Sequence, residues 1–231
     1  MLKDLFRLVY PHLCPACGAP LPKGGAHICP GCFERLPKTD FHRQVHNPAE
    51  RLFFGRFRFL SVASAFHFSQ GNSVQEVMHS IKYGGGTELA EQLAGWYGLQ
   101  LAADGWFTGP PVFVPVPLHP RKQHRRGYNQ AYHIARGLAS AVPGSRLDER
   151  LVRRRDPGSQ TKKGRYARWQ NVEHLFAPKE GVDGFPAGGH LVLVDDVLTT
   201  GATLEACATA LAPAAGNSPV SALTLAFAGT R

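Results

Sequence analysis

The chain has 231 residues, 43% of them hydrophobic and 19% charged, with 25 Gly and 18 Pro. That hydrophobic fraction excludes a disordered chain, and so many turn residues exclude one long coiled coil; the length accommodates one α/β domain with a small appendage. The formal charge is +9, yet between His119 and Arg168 fourteen Lys or Arg face three Asp or Glu. The basicity is therefore regional, and a local positive field attracts phosphate-rich partners where it is not simply a solvated face.

The chain opens on Met1-Leu-Lys-Asp-Leu-Phe-Arg, which puts charges where a signal peptide needs an apolar core. No apolar run approaches the roughly 18 residues of a membrane span. A soluble, cytoplasmic protein is expected. Cys14-Pro-Ala-Cys17-Gly18 and Cys29-Pro-Gly-Cys32 follow, two CxxC turns with eleven residues between them. Each turn can set two thiolates on one side, and two facing turns complete a tetrahedron of sulfurs suited to Zn²⁺. Stable disulfides are disfavoured in a reducing compartment, and a redox CxxC belongs in a βαβ context that is missing here. An iron–sulfur cluster stays open, because four thiolates do not discriminate uniquely. Residues 1–38 have too little apolar sequence for a core of their own.

Residues 39–58 read as a polar linker turning aromatic at Phe53, Phe54 and Phe57. A strand is predicted over 59–68, a short helix over 74–81 ended by Gly84-Gly85-Gly86, and a helix over 88–103. Pro110-Pro111 ends that unit. A short buried strand over 112–116, a helix over 127–141, a strand start at Leu151-Val152 and a basic loop from Arg153 to Gln170 come next. A short strand over 174–177, the best strand over 190–194, a helix over 200–211 and a last strand over 218–228 complete the chain. Cys207 falls in the apolar part of that last helix and is expected in the core. The alternation predicts an α/β fold with a mostly parallel sheet flanked by helices.

The strongest motif lies at the end of the best strand: Asp195-Asp196-Val197-Leu198-Thr199-Thr200-Gly201-Ala202-Thr203. Ligands of open α/β sheets bind at the carboxyl ends of strands. A turn entering a helix offers unpaired amides to an anion, and Gly201 permits close approach. Two acceptor-only carboxylates beside such a cradle suit a sugar phosphate. The turn is not a nucleotide P-loop, since no Gly-Lys-Ser/Thr follows. The plainer reading, Thr caps with an acidic first turn, leaves two adjacent Asp unexplained.

This run resembles the phosphoribosyl pyrophosphate (PRPP) motif of type I phosphoribosyltransferases. With the double CxxC, with Ile81-Lys82-Tyr83-Gly84, and with Val114-Pro-Val-Pro-Leu-His119-Pro-Arg121 running on to Arg126-Gly127-Tyr128-Asn129-Gln130, the chain resembles the ComF family of competence-associated proteins from about residue 8 to 228. The resemblance implies a four-cysteine zinc module over 1–38, a linker and hood-like segment over 39–110, and a phosphoribosyltransferase-like domain over 111–231. It implies that Asp195 and Asp196 hold ribose hydroxyls, that Thr199 to Thr203 cradle the 5-phosphate, and that Pro117, Leu118, His119 and Arg121 bind pyrophosphate with Mg²⁺. A mobile catalytic loop over about 153–171 would carry Gln160, Thr161, Arg165, Arg168 and Asn171. Residue 2 is Leu where amidophosphoribosyltransferases place a Cys nucleophile after Met1, which argues against glutamine hydrolysis.

Two functions follow as expectations. The first is a DNA-uptake protein of natural competence with a PRPP site, contacting single-stranded DNA through Arg125, Arg126, Lys162 and Lys163 or partnering a ComFA-like helicase. Tyr128, Tyr166 and Trp169 would supply stacking faces among those cations. The second is an active phosphoribosyltransferase moving ribose 5-phosphate from PRPP to an acceptor. No base-reading constellation is visible in the hood-like segment.

Overall fold

A computed structural model describes residues 12–22, 25–153, 175–179, 185 and 188–229. Among these, the strands are β1 (Val62–His67), β2 (Pro111–Pro115), β3 (Arg146–Leu147), β4 (Leu151–Arg153), β5 (Phe176–Pro178), β6 (His190–Leu198) and β7 (Val220–Phe227). The helices are α1 (Pro30–Arg35), α2 (Pro48–Arg51), α3 (Ser73–Tyr83), α4 (Thr87–Ala103), α5 (Pro120–Arg126), α6 (Gln130–Ala141) and α7 (Ala202–Ala215), with a 3-10 turn over Phe41–Arg43. Five strands form one sheet in the order β1-β7-β6-β2-β3, and every neighbouring pair is parallel. The mostly parallel sheet flanked by helices is the architecture the strand–helix alternation predicts.

Parallel strands covered on both faces read as continuous apolar runs, and β6 shows why. Leu191, Val192, Leu193 and Val194 are all fully buried. Val192 and Val194 belong to the core cluster that holds residues of α3, α4 and α6, while Leu193 belongs to the cluster of Leu204, Cys207 and Leu211 on α7. Cys207 is in the core as expected. The strand continues past Val194, where the sequence reading ends it, because β7 supplies ladder partners as far as Leu198, which pairs with Phe227. Asp195 and Asp196 thus stand within the strand, Asp195 opposite Thr224.

α4 packs on α6 at close range. A Cβ on Gly137 would lie 2.4 Å from the Glu91 carbonyl oxygen, so the two backbones meet where a side chain would not fit. Glu91 then binds two α6 side chains, His133 at 2.7 Å and Arg136. The helix predicted over 127–141 is α6, which starts at Gln130, and a separate short helix that the sequence reading lacks, α5, precedes it. His119 caps α5, its Nδ1 accepting from the Arg121 amide at 3.2 Å, with Pro120 at the first helical position. Gly127 ends α5 at φ +82°, and Asn129 caps α6. α5 buries none of its side chains, so no apolar period betrays it in the sequence.

The N-terminal module leans on the sheet through α4. The Phe33 ring sits edge-on to Trp96 at 5.1 Å, the His27 amide donates to Gln92 Oε1 at 2.9 Å, and Lys38 bridges Phe66 of β1. β4 and β5 pair antiparallel and flank the stretch where the basic loop is expected. That loop, with Gln160, Thr161, Lys162, Lys163, Arg165, Tyr166, Arg168, Trp169 and Asn171, lies outside the described residues. No helix among the described residues is long and apolar enough to cross a membrane.

Candidate phosphate and metal sites

The C-terminal half of β6 and the first turn of α7 form a cradle. Thr199 and Thr200 are exposed, Gly201 turns the chain at φ +77°, and α7 begins at Ala202. A small pocket of about 30 Å³ is lined by Asp195 and by residues 197–204, which include every residue predicted for the 5-phosphate. The amides at the helix start point away from the helix and favour an anion. From behind, the turn is braced by residues that sequence reasoning missed. The Phe53 ring occupies the space a Gly201 side chain would need, 2.6 Å from its ideal Cβ. Arg56 donates to the Thr200 carbonyl at 2.8 Å and pairs with Glu205 on α7.

Burial pushes the Asp195 carboxyl up to about 7, and the charge of Asp196 adds to the rise. The Asp196 amide donates to Asp195 Oδ1 at 2.8 Å and works in the opposite direction, as do the charges of Lys82 and Lys122. Lys82 Nζ lies 3.4 Å from Asp196 Oδ2. Two adjacent carboxylates, one of them raised by burial and by the charge of the other, with the Lys82 ammonium beside them, form a site whose charge a further cation would balance. Lys82 lies at the end of α3, and the sequence signal for it was only the Lys-Tyr pair before three glycines.

The expected pyrophosphate loop follows β2. Val116 still joins the sheet, its amide donating to the Val194 carbonyl at 2.8 Å, and Asn129 Nδ2 holds the Val116 carbonyl at 3.0 Å. Pro117, Leu118 and His119 are half-buried. Arg121, Lys122 and Arg125 are exposed on α5, next in sequence. Arg126 is turned inward: its Nη2 donates to Tyr83 Oη at 3.2 Å with the guanidinium 4.9 Å from that ring's centre. Tyr128 Oη donates to the Ile81 carbonyl at 2.8 Å. Arg126 and Tyr128 therefore fasten the α5 region to the end of α3, where Lys82 sits. A cavity of about 450 Å³ opens beside this loop, walled by Pro117, Leu118, Tyr128, Tyr132 and Arg153 among others.

The structure brings Cys14, Cys17, Cys29 and Cys32 together, with every sulfur within 4.8 Å of the others. The Cys17 and Cys29 sulfurs are 3.8 Å apart. Four ligands at the usual Zn–S length of about 2.3 Å would be separated by roughly 3.8 Å in a tetrahedron, so the set could hold a metal such as zinc. Burial opposes ionisation of Cys14, yet the Cys29, Ala16 and Cys17 amides outweigh it and bring that thiol down to about 7. Burial and the neighbouring thiols push Cys32 up to about 12. A cluster with one thiol ready to ionise and another resisting is what four sulfurs do while they still share protons, and a dication removes that conflict.

No family model matches the chain. Over 96 residues it is 34% identical to Competence protein F of Haemophilus influenzae, covering 42% of each protein. Over 131 residues it is 30% identical to DNA utilization protein YhgH of Escherichia coli, covering 55% of this chain and 56% of that one. Over 114 residues it is 32% identical to Competence protein ComFC of Bacillus subtilis, covering 49% and 43%. The chain spans about half the length of the curated relatives it matches. A solved structure, glutamine PRPP amidotransferase from B. subtilis complexed with ADP and GMP, aligns at a TM-score of 0.41 and 20% identity over 64% of this chain and 30% of that one, too loosely to carry argument. Three separately named relatives at about 30% identity, together with the cysteine cluster and the Asp-Asp turn on a parallel sheet, agree with the resemblance to the ComF family of competence proteins that the motifs carry.

Proposed function

We propose that the chain binds PRPP with Mg²⁺ at the end of β6 and serves the handling of single-stranded DNA in competence or DNA utilization. The observation that carries the PRPP reading is the junction of paired carboxylates with the cradle at Gly201. In this reading Asp195 and Asp196 accept hydrogen bonds from the ribose hydroxyls. The turn from Thr199 to Thr203 donates to the 5-phosphate, and the loop from Pro117 to Arg121 faces the pyrophosphate. Mg²⁺ would neutralise pyrophosphate charge when bound. The cysteine cluster holds a structural Zn²⁺, since four protein sulfurs leave no open position for chemistry. The names of the relatives and the surplus of cations after His119 support a DNA role, with Arg125, Lys162 and Lys163 as candidate phosphate contacts.

Calorimetry with PRPP and Mg²⁺ tests the first half. Asp195→Asn with Asp196→Asn keeps size and removes charge, and should weaken binding at least about tenfold, because each charge-assisted hydrogen bond is worth roughly 1.5–3 kcal/mol. Unchanged affinity would overturn the assignment. Salt titration of single-stranded DNA binding tests the second half. Neutralising Lys162, Lys163 and Arg165 together should flatten the log–log slope by roughly two units, about 0.7 for each lost phosphate contact.

A second reading, phosphoribosyl transfer, is favoured by the cavity beside Pro117 and Leu118, which leaves room for an acceptor. The anomeric carbon would lose its bond to pyrophosphate oxygen and form one to the acceptor. Release of pyrophosphate that depends on an added base or amine would establish it; none across candidate acceptors would leave binding alone.

A further inference from the structure

Residues 41–62 do more than link the N-terminal module to β1. Residues 41–46, Glu50 and 53–62, with Trp106 and Thr108, wall a cavity of about 850 Å³. Phe53, Phe57 and Phe59 meet there, with ring centres 4.7 Å apart for both the Phe53–Phe59 and the Phe57–Phe59 pair. Phe54 stands 59% exposed on the same wall. Aromatic rings gathered in one groove, rather than scattered singly, mark a surface suited to a ligand, and their faces favour a flat one.

The charges around these rings are unequal. Glu50 is spent on backbone, accepting from the His46 amide at 2.7 Å and the Val62 amide at 3.3 Å. Arg43 is held by Asp104 and Arg56 by Glu205. Arg58 has neither an ion pair nor a hydrogen bond among the described residues, and it too lines the cavity. Aromatic faces beside an uncommitted guanidinium complement a ligand that is flat at one end and anionic at the other. An apolar peptide would use the rings but leave the cation unmatched.

We propose that this cavity is a second ligand site that takes a nucleotide unit, its base against Phe54, Phe57 and Phe59 and its phosphate on Arg58. The unit is a free nucleotide or one residue of an unpaired strand, which share this chemistry. The site is separate from the cradle on β6, because none of residues 195–204 lines it. Yet the two share Phe53 and Arg56, which brace Gly201, Thr200 and Glu205 from behind.

The test uses the full chain, with dAMP and a twelve-nucleotide oligo(dA) as probes at low salt. Phe54→Ser with Arg58→Gln changes two exposed side chains and leaves the core alone. This variant should bind at least one probe about tenfold more weakly than wild type, through loss of a stacking face and a charged contact. The Asp195→Asn, Asp196→Asn variant should bind that probe within about twofold of wild type, since the cradle is a different site. Equal response to both probes identifies a free nucleotide; response to the oligonucleotide alone identifies a strand. Photocrosslinking of the 8-azido form of the responding probe should label residues 41–62. The proposal is overturned if wild type binds neither probe, if the Phe54, Arg58 variant binds as wild type does, or if the Asp195, Asp196 variant loses the binding.

Discussion

Lys82 Nζ lies 3.4 Å from Asp196 Oδ2 and ties the end of α3 to the carboxylate pair on β6. Both side chains are partly shielded, 24% and 16% exposed. The ammonium also draws Asp195 down against its burial. Lys82→Gln removes the charge while keeping a polar side chain of nearly the same reach. The Asp195 carboxyl should then titrate higher still, followed by carboxyl carbon resonances against pH. The loss of stability should stay below about 1 kcal/mol, as for other partly exposed pairs. An unmoved titration would show that Lys82 does not act on the pair.

Asp195 itself makes stability depend on pH in an unusual direction. Its carboxyl rises from an ordinary 3.8 to about 7, through burial first and Asp196 second. A group whose folded value is raised stabilises the fold below its unfolded value, and that contribution is lost as pH rises through the folded one. Without ligand, Asp195 therefore favours folding near pH 4 and progressively less toward pH 7. Asp195→Asn should remove this fall, seen by denaturant unfolding at several pH values. PRPP binding, which in the proposed reading uses the carboxylate, should strengthen over the same interval.

Much of this site was legible in the sequence, and the rest was not, for physical reasons. The branched run of β6, the Asp pair and the glycine turn are contiguous, so one stretch of chain carries the strand, the acceptors and the cradle. The partnership of Lys82 with Asp196, and of Arg56 with Thr200 and Glu205, joins residues far apart in the chain and depends on packing. α5 was missed because a short polar helix with no buried face has no period. β6 runs beyond Val194 only because β7 is there to pair with it. The paired CxxC turns were legible because their spacing fixes ligand geometry locally.

The cysteine cluster makes a prediction about where damage stops. Cys14→Ser removes one of four sulfurs, and structural zinc sites carry on the order of 10 kcal/mol of apparent folding energy. The N-terminal module should loosen, and Phe33 should leave the ring of Trp96, changing tryptophan emission. The parallel sheet should remain folded, since β2, β6 and β7 draw their core from α4, α6 and α7. Metal analysis of wild type should find about one zinc per chain; absence of both zinc and iron would refute the site.

Gly137 and Gly95 both lie where α4 meets α6, but they should respond oppositely to alanine. In a helix interior, Gly→Ala gains about 1 kcal/mol from propensity alone. At Gly137 the new carbon would lie 2.4 Å from the Glu91 carbonyl and force the helices apart. Overpacking of this kind costs roughly 1–3 kcal/mol and outweighs the gain. At Gly95 the nearest atom is 3.4 Å away, so the contact asks for little movement. Gly137→Ala should lower the unfolding midpoint, and Gly95→Ala should leave it level or raise it. Equal effects would mean that the close approach at Glu91 is not limiting.

His190 opens β6 at the opposite end from the carboxylates and is completely buried. Its Nε2 lies 2.8 Å from Ser221 Oγ, its Nδ1 accepts from the Thr108 amide at 3.3 Å, and Trp106 stacks on the ring. Burial lowers its pKa from 6.5 to about 4, so the folded protein keeps it neutral where the unfolded chain would take a proton. For a lowered group the stabilising contribution is present above the unfolded value and is lost as pH falls toward the folded one. Between pH 6.5 and 4 the loss should be at most on the order of 3 kcal/mol, taking about 1.4 kcal/mol for each tenfold change in proton affinity. Asp195 works the other way over much of this interval and would mask the trend in wild type. In the Asp195→Asn background, stability should therefore fall as pH drops from 6.5 to 4, and adding His190→Asn should flatten that fall. A slope that survives the second substitution would place the acid sensitivity at another residue.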